Sequence, residues 1–112
     1  MKVDELLQEQ RKIQVEYQDW EDEVMKVERA QQEYGDDISA ELSELKWQQD
    51  EYSSDPQMLE ILDEKRQLLN KMESQNQDFL QLLRKTKAEK YEEMEKNLRT
   101  LKTEVERMEK ES

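Results

Sequence analysis

Apolar and aromatic residues recur along the first half of this chain at steps of three and four. They fall at Val3, Leu6, Ile13, Tyr17, Trp20, Val24, Val27, Tyr34 and Ile38, with Gln10 and Gln31 in the two vacant places. That spacing holds one stripe on one face of an α-helix and is the a/d seam of a coiled coil. After Ile38 the stripe shifts to Leu42, Leu45 and Tyr52. Gly35 interrupts the run. One mid-helix Gly costs only about 1 kcal/mol, so a continuous helix is expected there, with a kink or fraying as the alternative.

The strong breaker of the chain is Ser53-Ser54-Asp55-Pro56. Pro is tolerated at the first helical position, where its missing N–H would be unpaired anyway. Asp just before it is a good N-cap, because its carboxylate accepts from the orphan backbone N–H groups. The pattern therefore predicts a helix over 2–52, a turn over 53–55 and a helix over 56–111, in one domain spanning 1–112.

A hairpin that turns near residue 54 pairs positions whose numbers sum to about 108. The second helix ends in its own strict seam, Tyr91, Met94, Leu98, Leu101, Val105 and Met108. Val3 then meets Val105, Leu6 meets Leu101, Ile13 meets Met94 and Tyr17 meets Tyr91. Charge agrees with that register. Residues 1–55 carry 6 bases and 17 acids, whereas residues 56–112 carry 12 bases and 13 acids. The basic cluster Arg84, Lys85, Lys87 and Lys90 falls opposite Asp19, Glu21, Asp22 and Glu23. Complementary flanking charges help set the orientation of paired helices. The expected fold is all-α: a long antiparallel helical hairpin, coiled-coil in character.

Two helices bury only a narrow seam, and the half near the turn carries more apolar surface than one seam uses. Met58, Leu59, Ile61, Leu62, Leu68, Leu69, Met72, Phe79, Leu80, Leu82 and Leu83 crowd into 26 residues of the second helix. They take heptad positions a, d and e, with Leu59 and Leu80 at b. That stripe is too wide for one facing helix. Trp47 also lies off the seam of the first. The candidate partner-binding residues are therefore Trp47, Leu59, Leu62, Leu69, Phe79, Leu80 and Leu83. A partner helix or a second copy of the chain is expected to complete a bundle.

Composition narrows the chemistry. The 112 residues include no Cys and no His, so thiolate and imidazole metal ligands and His-activated nucleophiles are missing. No catalytic, cofactor or metal site is expected, and the protein is read as a non-enzyme. A net charge of −12 disfavours nucleic-acid binding, which relies on Lys and Arg to neutralise phosphates. One Gly and one Pro among abundant Glu, Gln, Lys and Leu argue for helix over disorder. No apolar run approaches the roughly 18 residues of a membrane span. The acids of Met1-Lys2-Val3-Asp4-Glu5 stand where a signal peptide needs an apolar run. A soluble protein without membrane insertion is expected.

A helical hairpin of about this length, with Trp47 just before a central turn, resembles the small helical proteins of Gram-positive type VII secretion. Trp47-Gln48-Gln49 lacks the turn glycine of the WXG substrates. The chain is more similar to the acidic accessory proteins associated with LXG toxins. The resemblance is carried by Gln8-Glu9-Gln10-Arg11-Lys12-Ile13, Asp63-Glu64-Lys65-Arg66-Gln67-Leu68-Leu69 and Asp78-Phe79-Leu80-Gln81-Leu82-Leu83. It implies a cytoplasmic adaptor or chaperone, or one exported together with its partner, that targets an LXG-type toxin to secretion by binding its helical region. The alternatives are a homodimeric structural coiled coil and, more remotely, an acidic mimic of nucleic acid that inhibits a DNA-binding enzyme. Type VII substrates also carry a Tyr-x-x-x-Asp/Glu signal, which Tyr91 and Glu95 match, as do Tyr17 and Glu21. Four tyrosines amid 30 acids give about one such match by chance.

Overall fold

The computed structural model describes residues 2–111. Two helices account for nearly all of it: α1, Val3–Glu51, and α2, Pro56–Glu111. The architecture is an all-α helical hairpin whose helices pack against each other. α1 starts and stops one residue inside the expected bounds, and it runs through Gly35 without a break.

The turn is built as its sequence dictates. The Met58 N–H donates to the Asp55 carboxylate at 3.1 Å, and the Leu59 N–H donates to the Asp55 carbonyl at 3.0 Å. Asp55 is thus the N-cap and Pro56 the first helical residue. On the other side, the Asp55 N–H donates to the Tyr52 carbonyl at 2.9 Å, which closes the reversal. Capping of this kind is worth about 1 kcal/mol.

The chain divides into two compact units. Unit 1 joins the start of α1, up to Lys26, with α2 from Leu83 onward. Its interior includes Leu6 and Val105, both buried. The rings of Tyr17 and Tyr91 meet edge to face with centroids 6.0 Å apart, as the 108 register requires. Ile13 and Met94 line one cleft. Positions that rise along α1 meet positions that fall along α2, so the pairing here is antiparallel.

Unit 2 spans Val27–Leu82 and contains the turn. Its core is Ile38, Leu45, Leu62 and Leu69, with Leu42, Met58 and Met72 packed against them. One polar side chain joins them. Asn76 is buried, and its Nδ2 donates to the Gln31 carbonyl at 3.1 Å. Gly35 lies one helical turn beyond Gln31 on the same face. A Cβ built on Gly35 would stand only 2.8 Å from Asn76 Nδ2. The glycine therefore has a packing role: it opens the gap through which the amide reaches the backbone of α1.

This contact corrects the expected seam. Val27 and Tyr34 were assigned to the interior, but they stand 44% and 41% exposed. Glu28 and Gly35 turn inward in their place. A bulky Tyr34 at the interface would occupy the space where Asn76 approaches α1. Accordingly the interior of unit 2 follows Glu28, Gln31, Gly35, Ile38, Leu42 and Leu45, at steps of three and four in a shifted phase.

The Gly35 and Asn76 pair gives a signed prediction. Gly35→Ala should destabilise the chain by about 1 kcal/mol: the gain in helix propensity is outweighed by displacing a buried amide from its acceptor. In an Asn76→Ala background the obstacle is gone, and the same substitution should stabilise by about 1 kcal/mol. Urea unfolding of the four proteins measures both.

Candidate functional site

The sequence-derived binding residues divide into three groups in the structure. Leu62 and Leu69 are buried, at 6% and 5% exposure, within the core of unit 2. They are spent on holding α2 to α1. Leu59, Leu80 and Leu83 are half-buried. Trp47 and Phe79 face outward, Trp47 with 77% of its surface exposed.

Sequence reasoning placed Ile61, Leu68 and Leu82 in the wide apolar stripe but left them out of the candidate binding residues. Ile61, Leu68 and Leu82 are each about three-fifths exposed, more than Phe79. Ile61, Leu68 and Leu82 share one heptad position, with Gln75 in the vacant place, and Phe79 stands beside them; the position matching Phe79 nearer the turn is Lys65. The signal was present as the seven-residue step from Ile61 to Leu68. It was hidden because Leu62 and Leu69 repeat the same step one residue later, and only the packing shows which pair turns inward. Within the same unit, α1 adds Val27 and Tyr34 to the outward apolar residues.

Unit 1 presents a different surface. Tyr17, Trp20 and Tyr91 form an aromatic group, with the Tyr17 and Trp20 centroids 6.1 Å apart. The Lys90 ammonium stands 5.8 Å from the Trp20 ring centroid, within reach of the ring's negative face. Lys85 pairs with Glu89 of its own helix at 4.0 Å. Arg66 with Asp63 and Arg107 with Glu104 are likewise pairs within α2. Exposed pairs of this kind contribute little to stability. Tyr91 is half exposed and packs on Tyr17, while Glu95 is half-buried.

Beside this group lies a cleft of about 160 Å³, lined by Ile13, Glu16, Tyr17, Lys90, Glu93, Met94 and Asn97. Ligand pockets commonly enclose roughly 300–1,000 Å³. This one has room for a side chain from a partner. Among the described residues no three carboxylates gather into a group that could hold a metal ion, and no helix is long and apolar enough to cross a membrane.

Fold and surface together define a helical hairpin with an apolar flank. No protein-family model, curated protein or solved structure matches the chain.

Burial raises the pKa of the Tyr17 hydroxyl above its ordinary value, and its hydrogen bond to the Glu21 carboxylate adds to the rise. The proton is thus held more tightly folded than unfolded. The resulting stability is fully present below about pH 10 and is lost as pH rises from there through the folded value. Ultraviolet titration of tyrosinate in the native chain and in Tyr17→Phe should assign a late ionisation to Tyr17, and Glu21→Gln should move it part of the way back.

Proposed function

We propose that this protein is a non-enzymatic helical adaptor that binds a helical segment of another protein, in the manner of a chaperone or targeting factor. The carrying observation is the outward stripe of unit 2. Ile61, Leu68 and Leu82 keep heptad order on the surface, with Phe79 beside them, while other residues make the core of unit 2. Ordered apolar spacing on an exposed helix face is what helix-on-helix recognition uses.

The resemblance to LXG-associated accessory proteins supports a more specific reading. In it, the partner is the helical N-terminal region of an LXG-type toxin, and the adaptor accompanies that toxin to type VII secretion. Binding happens in the cytoplasm, before export of the toxin alone or of the pair.

Co-expression tests this reading. The chain and the helical region of an LXG-type toxin encoded beside it should co-purify as a complex that survives size-exclusion chromatography. Failure to bind any protein encoded beside it would overturn the reading. A tight dimer by light scattering, with no hetero-complex, would instead identify a structural coiled coil.

A further inference from the structure

The interior of unit 2 fixes which outward residues share a flank. A two-fold rotation perpendicular to both axes relates the helices of an antiparallel pair, so equivalent heptad positions lie on the same side. Lys46 and Arg66 illustrate this. Each stands four residues after an interior leucine, Leu42 or Leu62, and both line one shallow cleft. Ile61 and Leu68 stand one residue before Leu62 and Leu69. Val27 and Tyr34 stand one residue before Glu28 and Gly35. These four therefore share the opposite flank, which Phe79 and Leu82 extend along α2.

The border of that flank is mainly acidic, with Lys65, between Ile61 and Leu68, as an exposed cation on the stripe itself. Asp37, Glu41 and Glu44 of α1 and Glu64 and Asp78 of α2 flank the apolar stripe, all exposed, against the cation Lys71. From Ile61 to Leu82 the stripe runs about 32 Å, the length of a helix of about 21 residues. A second copy of the chain would bring the same acidic border and set carboxylates against carboxylates. A cationic partner would relieve that repulsion and gain in both specificity and association rate.

We propose that this acid-bordered apolar flank is the docking face for a basic amphipathic helix of another protein. Its apolar stripe lies on Ile61, Leu68 and Tyr34, and its lysines and arginines lie against the bordering carboxylates. The proposal rests on the adaptor reading and adds the face used and the chemistry of the partner.

The test uses the full chain and two synthetic peptides of about 25 residues, long enough to form a helix on binding. Both carry leucines at heptad spacing; one has Lys and Arg at the flanking positions, the other Glu. By fluorescence anisotropy the basic peptide should bind, and the acidic twin should bind at least about tenfold more weakly. Ile61→Glu with Leu68→Glu should weaken the basic peptide at least about tenfold, while Val15→Glu, another exposed apolar position, should leave it unchanged. Circular dichroism of each variant checks that the helices persist.

Equal binding of the two peptides would overturn the proposal. So would unchanged binding to the double variant, or a chain dimer that Leu68→Glu dissociates. A toxin region that co-purifies equally with native chain and double variant would overturn the flank assignment and leave the adaptor reading standing. Loss of every toxin complex, with peptide binding retained, would overturn only the adaptor reading.

Discussion

The amide of Asn76 reaches the backbone of α1 because residue 35 has no side chain. At that point a polar group enters the core of unit 2, donates to the Gln31 carbonyl and occupies the space a Cβ would fill. Its Oδ1 is buried without a hydrogen-bond donor among the described residues. An unsatisfied buried acceptor costs about 1–3 kcal/mol, so the contact is a poor way to add stability. A polar residue at a core position of paired helices instead selects one arrangement at a cost in stability. Here it selects the rotation of α1 that brings Gly35 to the interface, and with it the outward turn of Val27 and Tyr34.

The outward flank follows from that choice. A two-helix core is thin, and apolar side chains on adjacent heptad positions compete for it. Leu62 and Leu69 win the interior of unit 2, together with Ile38 and Leu45. Ile61 and Leu68, one residue earlier, are left outside, on the side where Val27 and Tyr34 emerge. Had α1 kept Tyr34 inward, that flank would lose its α1 half. Internal packing and the external surface are thus two consequences of one helix rotation.

Much of the fold was legible in the residues. Asp55-Pro56 marks the turn and the start of α2 because capping and the special backbone of Pro are local effects. The antiparallel register could be read because short turns leave little slack, and Tyr17 does meet Tyr91. The phase of α1 beyond Val24 was not legible. Its heptad spacing favours Val27 and Tyr34, and only the approach of Asn76, 41 residues after Gly35 in sequence, turns the face. The same reason hid the outward stripe: deciding between Leu62 and Ile61, or Leu69 and Leu68, needs the partner helix in place. The breadth of the stripe was readable, whereas the division between inside and outside was not.

The chain contains no cysteine, so single introduced thiols report on the rotation of α1 without interference. Val27→Cys, Tyr34→Cys and Ile38→Cys, each alkylated under native conditions, compare two positions assigned to the surface with one in the core. Thiols at 27 and 34 should react at close to the rate of an unfolded control, while the thiol at 38 should react about a hundredfold more slowly, limited by local opening. Protection at 34 equal to that at 38 would contradict that assignment, because α1 would then present its plain heptad seam inward and the apolar flank would lose its α1 half.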